Sequence, residues 1–260
     1  MKIATWNING IKARIDGLCD WLADAEPDIA CLQEIKSTDE SFPAERIEAL
    51  GYNVSTHGQK GFNGVAILSK TPLDEVNPGL PGDEGDEQAR FLECVMSSGD
   101  GVVRIACAYM PNGNPLGTEK YDYKRSWMTR LEVWLATRLR FEEPLVLLGD
   151  FNIIPEPEDV RYPEKWLDDA LYQPEIRQCY RRLKGLGLTD AIRAVDDSAE
   201  VYTFWDYQAG AWQKNNGIRI DHILLSAEAA DRLEAAGIDK HVRAWEKPSD
   251  HVPVWIDLGN

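Results

Sequence analysis

The chain has few cysteines, no long apolar run and fewer basic than acidic residues. Its 260 residues include five cysteines, and none of them form a CxxC pair. An odd number of widely spaced cysteines argues against disulfides, a zinc site or a nucleophile, and predicts buried free thiols in a reducing compartment. No apolar run approaches the length of a membrane span, and an N-terminus that enters a strand at once does not resemble a signal peptide. The sequence therefore predicts a cytoplasmic protein without a membrane partner.

The shortage of basic residues bears on whether the chain can bind nucleic acid nonspecifically. Lys and Arg number 28 against 44 Asp and Glu, which gives a formal net charge of −16. Proteins that bind nucleic acid are usually basic where they touch phosphate, so this total argues against broad nonspecific adhesion. It does not exclude a local basic rim, because the acids concentrate in 83–87 and 156–159. Basic residues cluster at 120–130 and at 177–184, and the second cluster is typical of a solvated helix face.

The remaining composition is typical of one globular enzyme. Hydrophobic residues make up 43% of the chain and charged residues 28%, which excludes a disordered or membrane class. A length of 260 residues is sufficient for one large core, and no linker separates the two halves. We therefore expect a single domain spanning residues 1–260.

Apolar periodicity predicts alternating strands and helices. Strands are predicted near 2–7, 28–33, 52–56, 62–68, 90–97, 102–109, 144–149, 217–225 and 251–258. Helices are predicted near 15–25, 43–50, 118–140, 175–185 and 227–236. The stretch 77–88 is rich in proline, glycine and acid and reads as an exposed loop. In the longest helix the predicted core face consists of Trp127, Leu131, Trp134, Leu135 and Leu139.

Polar clusters stand at the ends of five of these apolar runs. Four follow a predicted strand and one precedes it; they are NING (7–10), QE (33–34), YMPN (109–112), GDFN (149–152) and SDH (249–251). Open α/β architectures place their chemistry at the ends of core strands. Amides, carboxylates, a tyrosine and a histidine gathered in this way are typical of a site for metal and phosphate.

Taken together, these segments resemble the exonuclease III family of Mg-dependent DNA-repair nucleases, within the endonuclease/exonuclease/phosphatase superfamily that includes deoxyribonuclease I. The resemblance extends from Lys2 to Leu258. It implies an α/β (α+β) fold, a four-layer α/β/β/α sandwich of two packed mixed β-sheets flanked by helices, like that of deoxyribonuclease I. The segments that carry it are TWNINGIKAR (5–14), CLQEIK (31–36), ACAYMPNG (106–113), LLGDFNIIP (147–155), YTFWDYQ (202–208), NNGIRIDHILLS (215–226) and KPSDHVPV (247–254).

Three residues are predicted to hold a metal ion. Glu34 is the best candidate ligand, because a carboxylate at the end of an apolar strand is costly without a partner. Asn7 matches a family position and can supply an oxygen, and Asp250 is placed to support the metal or its waters. Asn9 lies two residues after Asn7, but some relatives carry Asp there, so a substrate-binding role is assigned instead. A solvated strand end at Glu34 and a turn at Asn7 remain alternatives. The predicted cofactor is Mg²⁺, with Mn²⁺ as a substitute.

Five residues are predicted to act on the phosphodiester. Asp150 can orient and deprotonate a water, and Asn152 can steady that water or a phosphate oxygen, although a Gly-Asp turn is a common alternative. His251 can donate to a phosphate oxygen, for which it needs a carboxylate partner. The resemblance implies that Asp221 is this partner. Tyr109 offers a hydroxyl to the phosphate, unless it is only a large residue at a strand end.

Aromatic and aliphatic residues near the C-terminus suggest how substrate is chosen. In abasic endonucleases the matching positions wall a pocket for a flipped-out sugar that lacks its base, and here they are Phe204, Ile218 and Ile220. Flipping costs least where no base is stacked, which itself gives selectivity. The alternative is that Phe204 and Trp205 belong to the core, and for Trp205 the core interpretation is preferred.

A basic rim is expected to contact DNA next to the site. Arg90 stands in a family-like position after the acidic stretch, and Lys124 and Arg125 follow the Tyr109 loop along the chain. These three residues are therefore predicted to bind phosphate, in spite of the acidic total.

The resemblance implies cleavage of double-stranded DNA 5′ to abasic sites, together with 3′-to-5′ exonuclease and 3′-end-cleaning activity, by a monomer. One alternative is a superfamily phosphodiesterase or phosphatase that acts on another phosphate ester. A second is a non-catalytic nucleic-acid-binding regulator on the same fold. Such regulators lose the metal and histidine positions, which this chain retains.

Overall fold

Two six-stranded sheets form the centre of the molecule. The computed structural model describes residues 1–98 and 101–259. Within them the strands are β1 (Lys2–Asn7), β2 (Ile29–Gln33), β3 (Asn53–His57), β4 (Val65–Ser69), β5 (Glu75–Pro78), β6 (Phe91–Ser98), β7 (Gly101–Tyr109), β8 (Leu145–Asp150), β9 (Thr189–Asp190), β10 (Asp221–Leu225), β11 (Leu233–Ile238) and β12 (Val254–Leu258). The helices are α1 (Ile11–Ala25), α2 (Ala44–Glu48), α3 (Glu119–Arg138), α4 (Pro174–Gly185), α5 (Ala191–Val195) and α6 (Ala227–Ala230).

Both sheets are mixed, and each contains one parallel pair at its centre. The first sheet has the order β11-β12-β1-β2-β4-β3 and the second β5-β6-β7-β8-β10-β9. β1 and β2 run parallel, as do β7 and β8, and the other pairs are antiparallel. In each sheet, the C-terminal ends of the two central parallel strands therefore lie side by side.

Four layers follow from the alternation of side chains along the strands. One core lies between the sheets and includes Ile3 and Cys31 from the first sheet with Ile105 and Leu148 from the second. The outer face of the first sheet packs against α1, and the outer face of the second packs against α3 and α4. The predicted α/β/β/α sandwich is confirmed.

The inner face of the long helix α3 is apolar because it packs against the second sheet. Trp127, Leu131, Trp134 and Leu135 recur at helical spacing and are buried against the second sheet, as the periodicity predicts. Phe91 on β6 meets the ring of Trp134 edge-on at 5.0 Å. The last residue of the predicted face, Leu139, lies in a short 3₁₀ turn after the helix and is partly buried.

Several predicted elements differ from the observed ones. The predicted helix 227–236 is wrong: α6 ends at Ala230, and β11 follows and pairs with β12. The predicted loop 77–88 begins inside the short edge strand β5. The predicted strand 217–225 is regular only from Asp221 onward.

The structure also describes the cysteines and the apolar character of the helices. All five cysteines are free, and Cys31, Cys94 and Cys107 are buried inside strands. Among the described residues, no helix combines the length and apolarity needed to cross a bilayer.

Candidate active site

The two parallel strand pairs deliver polar side chains to one place between the sheets. Asn7 ends β1 and Glu34 follows β2 in the first sheet, whereas Tyr109 and Asp150 end β7 and β8 in the second. The Asn7 Nδ2 donates to Asp150 Oδ2 at 2.9 Å across the gap between the sheets. Strand ends that are far apart in the sequence therefore meet as one site.

Glu34 is held on three sides. Asn7 Nδ2 and the Tyr109 hydroxyl both donate to its Oε1, at 3.0 and 2.8 Å. The Lys36 ammonium pairs with its Oε2 at 2.8 Å. Burial opposes ionisation of Glu34, but the hydrogen bonds from Asn7 and Lys36 and the charge of Lys36 outweigh it and lower the pKa. The carboxylate is therefore ionised at neutral pH.

The segment after β8 is shaped by a close approach of two backbones. Gly149 has a φ of 148°, and a Cβ there would collide with the carbonyl of Ala108 on the neighbouring strand. Asn152 adopts a φ of 49° and donates from its backbone to Asp150 Oδ1 at 2.9 Å. Its side-chain amide donates to Met110 O at 2.9 Å and lies 3.3 Å from Asp150 Oδ2. The GDFN sequence thus fixes a carboxylate and an amide side by side.

The electrostatics of Asp150 suit proton transfer near neutral pH. Burial raises the pKa of Asp150, the charge of Asp221 raises it further, and His251 and Asn7 oppose both, leaving it at about 7. A buried carboxyl with a pKa near the working pH can take up a proton and release it again.

His251 and Asp221 form the pair that the resemblance implies. His251 Nδ1 lies 2.8 and 3.0 Å from the two carboxylate oxygens of Asp221. Burial lowers the pKa of His251, but Asp221 and Asp150 outweigh it and raise the pKa to about 10. The imidazolium is therefore retained at neutral pH. Its Nε2 lies 3.8 Å from Asp150 Oδ2, which is too far for a hydrogen bond.

Two further residues that hold these side chains were missed. Thr203 donates to Asp221 Oδ2 at 2.6 Å and accepts the backbone N–H of Asp221 at 3.1 Å. Lys36 neutralises Glu34 and also donates to Asn9 Oδ1 at 2.5 Å. Both lie within the family-like segments YTFW and CLQEIK, but no spacing in the sequence shows their partners.

Asn9 and Asp250 lie on the first-sheet side of the site. Asn9 Nδ2 donates to Asp250 Oδ1 at 2.9 Å, and Asn9 also receives the hydrogen bond from Lys36. Asp250 therefore reaches Glu34 through Asn9 and Lys36 rather than directly. The Asn7 Oδ1 accepts the backbone N–H of Asn9 at 3.0 Å, so Asn7 turns its nitrogen toward the carboxylates.

The donor set at the site suits a hard divalent cation. Oxygen atoms of Asp150 and Asp221 lie within 4.8 Å of each other, and Glu34 joins them through Asn7. His251 lies within the same distance, but as an imidazolium it offers no lone pair, so only the carboxylates are candidate ligands here. Carboxylate oxygens are the ligands that Mg²⁺ prefers. Three carboxyl groups, Asp150, Asp221 and Glu34, face one space, and the basic groups beside them are Lys36 and His251. A divalent cation in this space would compensate the remaining negative charge.

The residues expected to wall a pocket lie together beside His251. Ile218 and Ile220 are each 3% exposed, in a cluster with Ile154, Val160, Leu171 and Tyr172. Phe204 is half-buried at the edge of this cluster, and its ring lies edge-on to that of His251 at 4.9 Å. Trp166 packs on the same cluster and was not predicted. Trp205 is fully buried, which confirms its core interpretation.

The expected basic rim is only partly in place. The Arg90 guanidinium stacks 4.8 Å from the centre of the Tyr109 ring and so borders the site. Arg125 is exposed, but its ion-pair partners are Asp122 on α3 and Glu175 on α4, at 3.9 and 3.7 Å. The prediction that Lys124 contacts DNA is wrong, because its side chain is fully buried.

The burial of Lys124 has a simple cause in the helix period. Residues 124, 127, 128 and 131 share one face of α3, and that face packs on the second sheet. One turn earlier, Lys120 is exposed and lines a cleft of about 740 Å³ with Gln59, Phe62, Gln88, Arg90 and Asn112. This cleft adjoins Tyr109 through Arg90.

Known proteins resemble the chain over nearly its whole length. Residues 4–251 match the model of the Endonuclease/Exonuclease/phosphatase family. Exodeoxyribonuclease III of Haemophilus influenzae is 36% identical, over 99% of this chain and 100% of that protein. DNA repair nuclease APEX1 of Danio rerio is 32% identical, over 99% of this chain and 82% of that protein.

Solved structures agree with the sequence relatives. A structure of the 3′ phosphatase NExo from Neisseria, bound to a product DNA hairpin, covers 100% of both chains with a TM-score of 0.96 and 38% identity. An AP endonuclease from Archaeoglobus fulgidus covers 99% of both chains with a TM-score of 0.93 and 35% identity.

Proposed function

The chain belongs to the endonuclease/exonuclease/phosphatase family, and from this we propose that it is a DNA-repair nuclease that hydrolyses phosphodiester bonds in duplex DNA. One observation carries the proposal. The strand ends of both sheets place Glu34, Asp150 and the Asp221–His251 pair around a single space, in a chain similar to exodeoxyribonuclease III over its full length. We further propose that residues 1–260 act as one domain and as a monomer.

Asp150 and Asn152 are proposed to handle the attacking water. The buried Asp150 carboxylate accepts a proton from the water, for which a pKa near 7 is well matched. Asn152 lies beside it, with its amide turned by Met110 O and Asp150, and orients the water or a phosphate oxygen. The fixed neighbours of both groups reduce the cost of aligning them during the reaction.

His251 and Tyr109 are proposed to stabilise the charge that develops on the phosphate. His251 stays protonated because Asp221 accepts from its Nδ1, which leaves Nε2–H to donate to a phosphate oxygen. The Tyr109 hydroxyl is set beside Glu34 at 2.8 Å and can turn to a phosphate oxygen. Burial and the charges of Glu34 and Asp150 hold the pKa of Tyr109 well above its usual range, so it remains a donor.

Mg²⁺ is the proposed cofactor, with Mn²⁺ as a substitute. Glu34 is its proposed ligand, and Asn7 and Asp250 position the surrounding groups. When bound, the ion supplies positive charge that polarises the phosphate. The lowered pKa of Glu34 keeps that carboxylate ionised and ready to bind it.

The proposed substrates are abasic sites and 3′ ends of double-stranded DNA. A pocket walled by Phe204, Ile218 and Ile220 beside His251 would take a sugar that lacks its base, so that the backbone is cut on the 5′ side. Removal of 3′ nucleotides or 3′ blocking groups uses the same phosphate position. The similarity to a structure of a 3′ phosphatase supports this second activity.

The DNA backbone is proposed to lie along the cleft that contains Arg90 and Lys120. Both are basic, and they line a space that leads to Tyr109. Arg125 remains a candidate contact at a greater distance along α3. The five free thiols support a reducing, cytoplasmic location as part of the same proposal.

A cleavage assay on end-labelled duplex DNA with one abasic analogue tests the proposal. With Mg²⁺ we expect one product ending in a 3′-hydroxyl 5′ to the lesion, and with EDTA none. A 3′-phosphate duplex run in parallel separates end cleaning from incision. Binding without cleavage of either duplex would support a non-catalytic regulator, and cleavage of other phosphate esters alone would support a different phosphodiesterase.

The pocket is tested by Phe204→Ala. We expect abasic-site cleavage to fall by about 10-fold or more while 3′-phosphate removal changes less, because only the first requires a flipped sugar. The measurement is the ratio of kcat/KM on the two duplexes. Phe141→Ala, at an exposed position after α3, is the control and leaves the ratio unchanged. Equal losses on both duplexes would mean that Phe204 serves only the core.

A further inference from the structure

Lys124 is a buried lysine whose hydrogen-bond partners are two backbone carbonyls. Its ammonium donates to Asn112 O at 3.0 Å and to Asn152 O at 2.6 Å. In the described residues no carboxylate lies within 4.0 Å of it to form an ion pair. Burial lowers the pKa of Lys124 to about 7, against the opposing charges of Asp150 and Asp169. A lysine amine buried at this cost, with both of its hydrogen bonds directed at loop carbonyls, calls for a reason beyond packing.

The two carbonyls belong to the two loops that carry proposed active-site groups. Asn112 follows Tyr109 at the end of β7, and Asn152 follows Asp150 at the end of β8. β7 and β8 are parallel and pair Tyr109 with Asp150, so both loops leave the sheet at the same edge. Lys124 reaches this edge from α3 and is hydrogen-bonded to both loops at once.

Asn152 is the group whose position depends most on this link. It has a left-handed φ of 49°, a conformation that asparagine tolerates better than most non-glycine residues, and both its backbone carbonyl and its side-chain amide are held by neighbours. Asn112 Nδ2 donates to its side-chain Oδ1 at 3.1 Å, so the loop that Lys124 fixes also orients the Asn152 amide. The backbone carbonyl and the side chain of Asn152 are thus both tied to the Lys124 ammonium.

The path of the Lys124 side chain is equally confined. Gly113, which directly follows Asn112 in the first of these loops, has a φ of +88°, and a Cβ there would lie 2.6 Å from Lys124 Cδ. Only glycine leaves room for the lysine stem. The sequence therefore contains two complementary features, a glycine in the loop and a lysine beneath it.

We propose that Lys124 is a positioning residue, which fixes Asn152 and the 110–114 loop in the geometry required for phosphodiester cleavage and does not contact DNA. This inference rests on the proposed function of Asn152. Misplacing an aligned group by about 1 Å can reduce turnover by about 100-fold even when substrate still binds. Loss of Lys124 should therefore appear in kcat rather than in KM.

Lys124→Met tests the proposal, because methionine fills similar space without donors or charge. We expect kcat on the abasic duplex to fall by about 10- to 100-fold, with KM within about threefold and the slope of log affinity against log salt unchanged. Lys120→Met, one turn earlier on the same helix, is the matched control. It should raise KM and flatten the salt slope by about 0.9, with kcat nearly retained. A Lys124→Met enzyme that behaves like Lys120→Met would return Lys124 to the DNA interface and overturn the proposal.

The double variant with Asn152→Ala separates positioning from general stability. If Lys124 acts through Asn152, Lys124→Met adds little to the loss in kcat of Asn152→Ala, whereas independent losses multiply. Multiplying losses would contradict the proposal. Should Lys124→Met fail to fold, Gly113→Ala displaces the same stem and must reproduce the loss in kcat. Full kcat in Asn152→Ala alone would refute the role of Asn152, whereas a loss there with full kcat in Lys124→Met would refute only this inference.

Discussion

Asn7 joins the two halves of the site through one side chain. Its Nδ2 bonds Glu34 from the first sheet and Asp150 from the second, and its Oδ1 accepts the backbone N–H of Asn9. A reversed amide would place an oxygen against two carboxylates and is unfavourable, so one orientation is selected. The geometry favours Asn7 as the residue that sets Glu34 and Asp150 in position, and its predicted role as a metal ligand stays a prediction.

The metal assignment is tested by Glu34→Gln. The change keeps size and the ability to accept hydrogen bonds from Asn7 and Tyr109 but removes the charge proposed to hold Mg²⁺. Because a metal supplies several kcal/mol of charge stabilisation, we expect cleavage at low Mg²⁺ to fall by roughly 100-fold and to recover in part at high Mg²⁺. DNA binding in EDTA should be retained. The exposed Glu48→Gln is the control, and parental cleavage by Glu34→Gln at low Mg²⁺ would show that Glu34 is not the ligand.

The Asp221–His251 pair is tested by a double-mutant cycle. His251→Ala removes a proposed donor to the phosphate and should reduce kcat by about 10²–10³. Asp221→Asn should cause a smaller loss, because it acts on His251 without touching substrate. The two losses should not multiply if the residues act as a unit. Fully multiplicative losses in the double variant would refute the pairing.

Some site residues could be predicted from the sequence because an apolar strand delivers each of them. Asn7, Tyr109 and Asp150 each end a buried strand, so their side chains are placed by the backbone alone. Lys36 and Thr203 act on partners that are set by tertiary contacts, which a single sequence does not reveal. Their roles therefore appear only in the structure.

At the scale of the element, β11 shows where local sequence misleads. Its segment LEAAGI favours a helix by propensity, yet it pairs with β12 from Leu233 to Ile238. A Cβ at Gly237 would lie 2.5 Å from the Trp255 ring, so this glycine is needed where the strand passes the indole. Pairing with an edge of the sheet outweighed a helix preference that spans only a few residues.

The segment before β10 separates a pocket wall from a buried ion cluster. Ile218 and Ile220 face the apolar cluster beside His251, and Arg219 between them points the other way. Arg219 is 1% exposed and pairs with Asp159 at 2.7 Å and Asp190 at 2.9 Å. Side chains alternate along an extended segment. Ile218 and Ile220 therefore line the pocket, while Arg219 between them bonds to the turn at Asp159 and to Asp190 in β9.

This cluster predicts a defined response of stability to acid. Burial opposes ionisation of Asp190, but the charge of Arg219 outweighs it and lowers the pKa from 3.8 to about 2. Because the folded pKa is depressed, the stabilisation is present above about pH 4 and is lost as the pH falls toward 2. Its size is about 2 kcal/mol. Denaturant unfolding at a series of pH values should show a shallower fall between pH 4 and 2 in Asp190→Asn.

The control for this measurement is the exposed Asp24→Asn, which should keep the parental pH dependence. Asp190→Asn should also be less stable at neutral pH, since it leaves Arg219 with one fewer anionic partner. An unchanged slope between pH 4 and 2 would show that Asp190 does not contribute to acid sensitivity.

At the scale of the whole molecule, the sequence predicts the strands and helices more directly than it predicts how they stack into layers. Alternating strands and helices indicate an α/β protein, but they do not determine that two sheets face each other. That arrangement followed from the family resemblance carried by the polar segments. The reason is physical: Ile105 and Leu148 are as apolar as Trp127 and Leu131, so hydrophobicity does not show which side meets a sheet and which meets a helix.

The acidic total has its clearest consequence at the stretch 83–87. This stretch directly precedes Gln88 and Arg90, which line the cleft proposed to hold DNA. Asp86 is not free, because Tyr123 donates to it at 3.0 Å and Arg130 forms an ion pair with it. The exposed acids Asp83, Glu84 and Glu87 remain to repel phosphate near the cleft. Salt weakens this repulsion, since the Debye length is about 10 Å at 0.1 M.

Neutralising these three acids should therefore raise nonspecific binding. For a variant with Asp83→Asn, Glu84→Gln and Glu87→Gln we expect about threefold tighter binding to undamaged duplex at low salt, a difference that disappears at high salt, and unchanged kcat at saturating abasic duplex. The matched control carries Glu228→Gln in α6, Asp231→Asn directly after it and Glu234→Gln in β11, which is the same change in charge. Ser226 caps α6, which carries Glu228, and its hydroxyl accepts the backbone N–H of Leu145 at the opposite end of β8 from Asp150. If the control variant binds undamaged duplex equally tightly, net charge governs the affinity, and an uneven distribution of acid plays no part in how this nuclease avoids intact DNA.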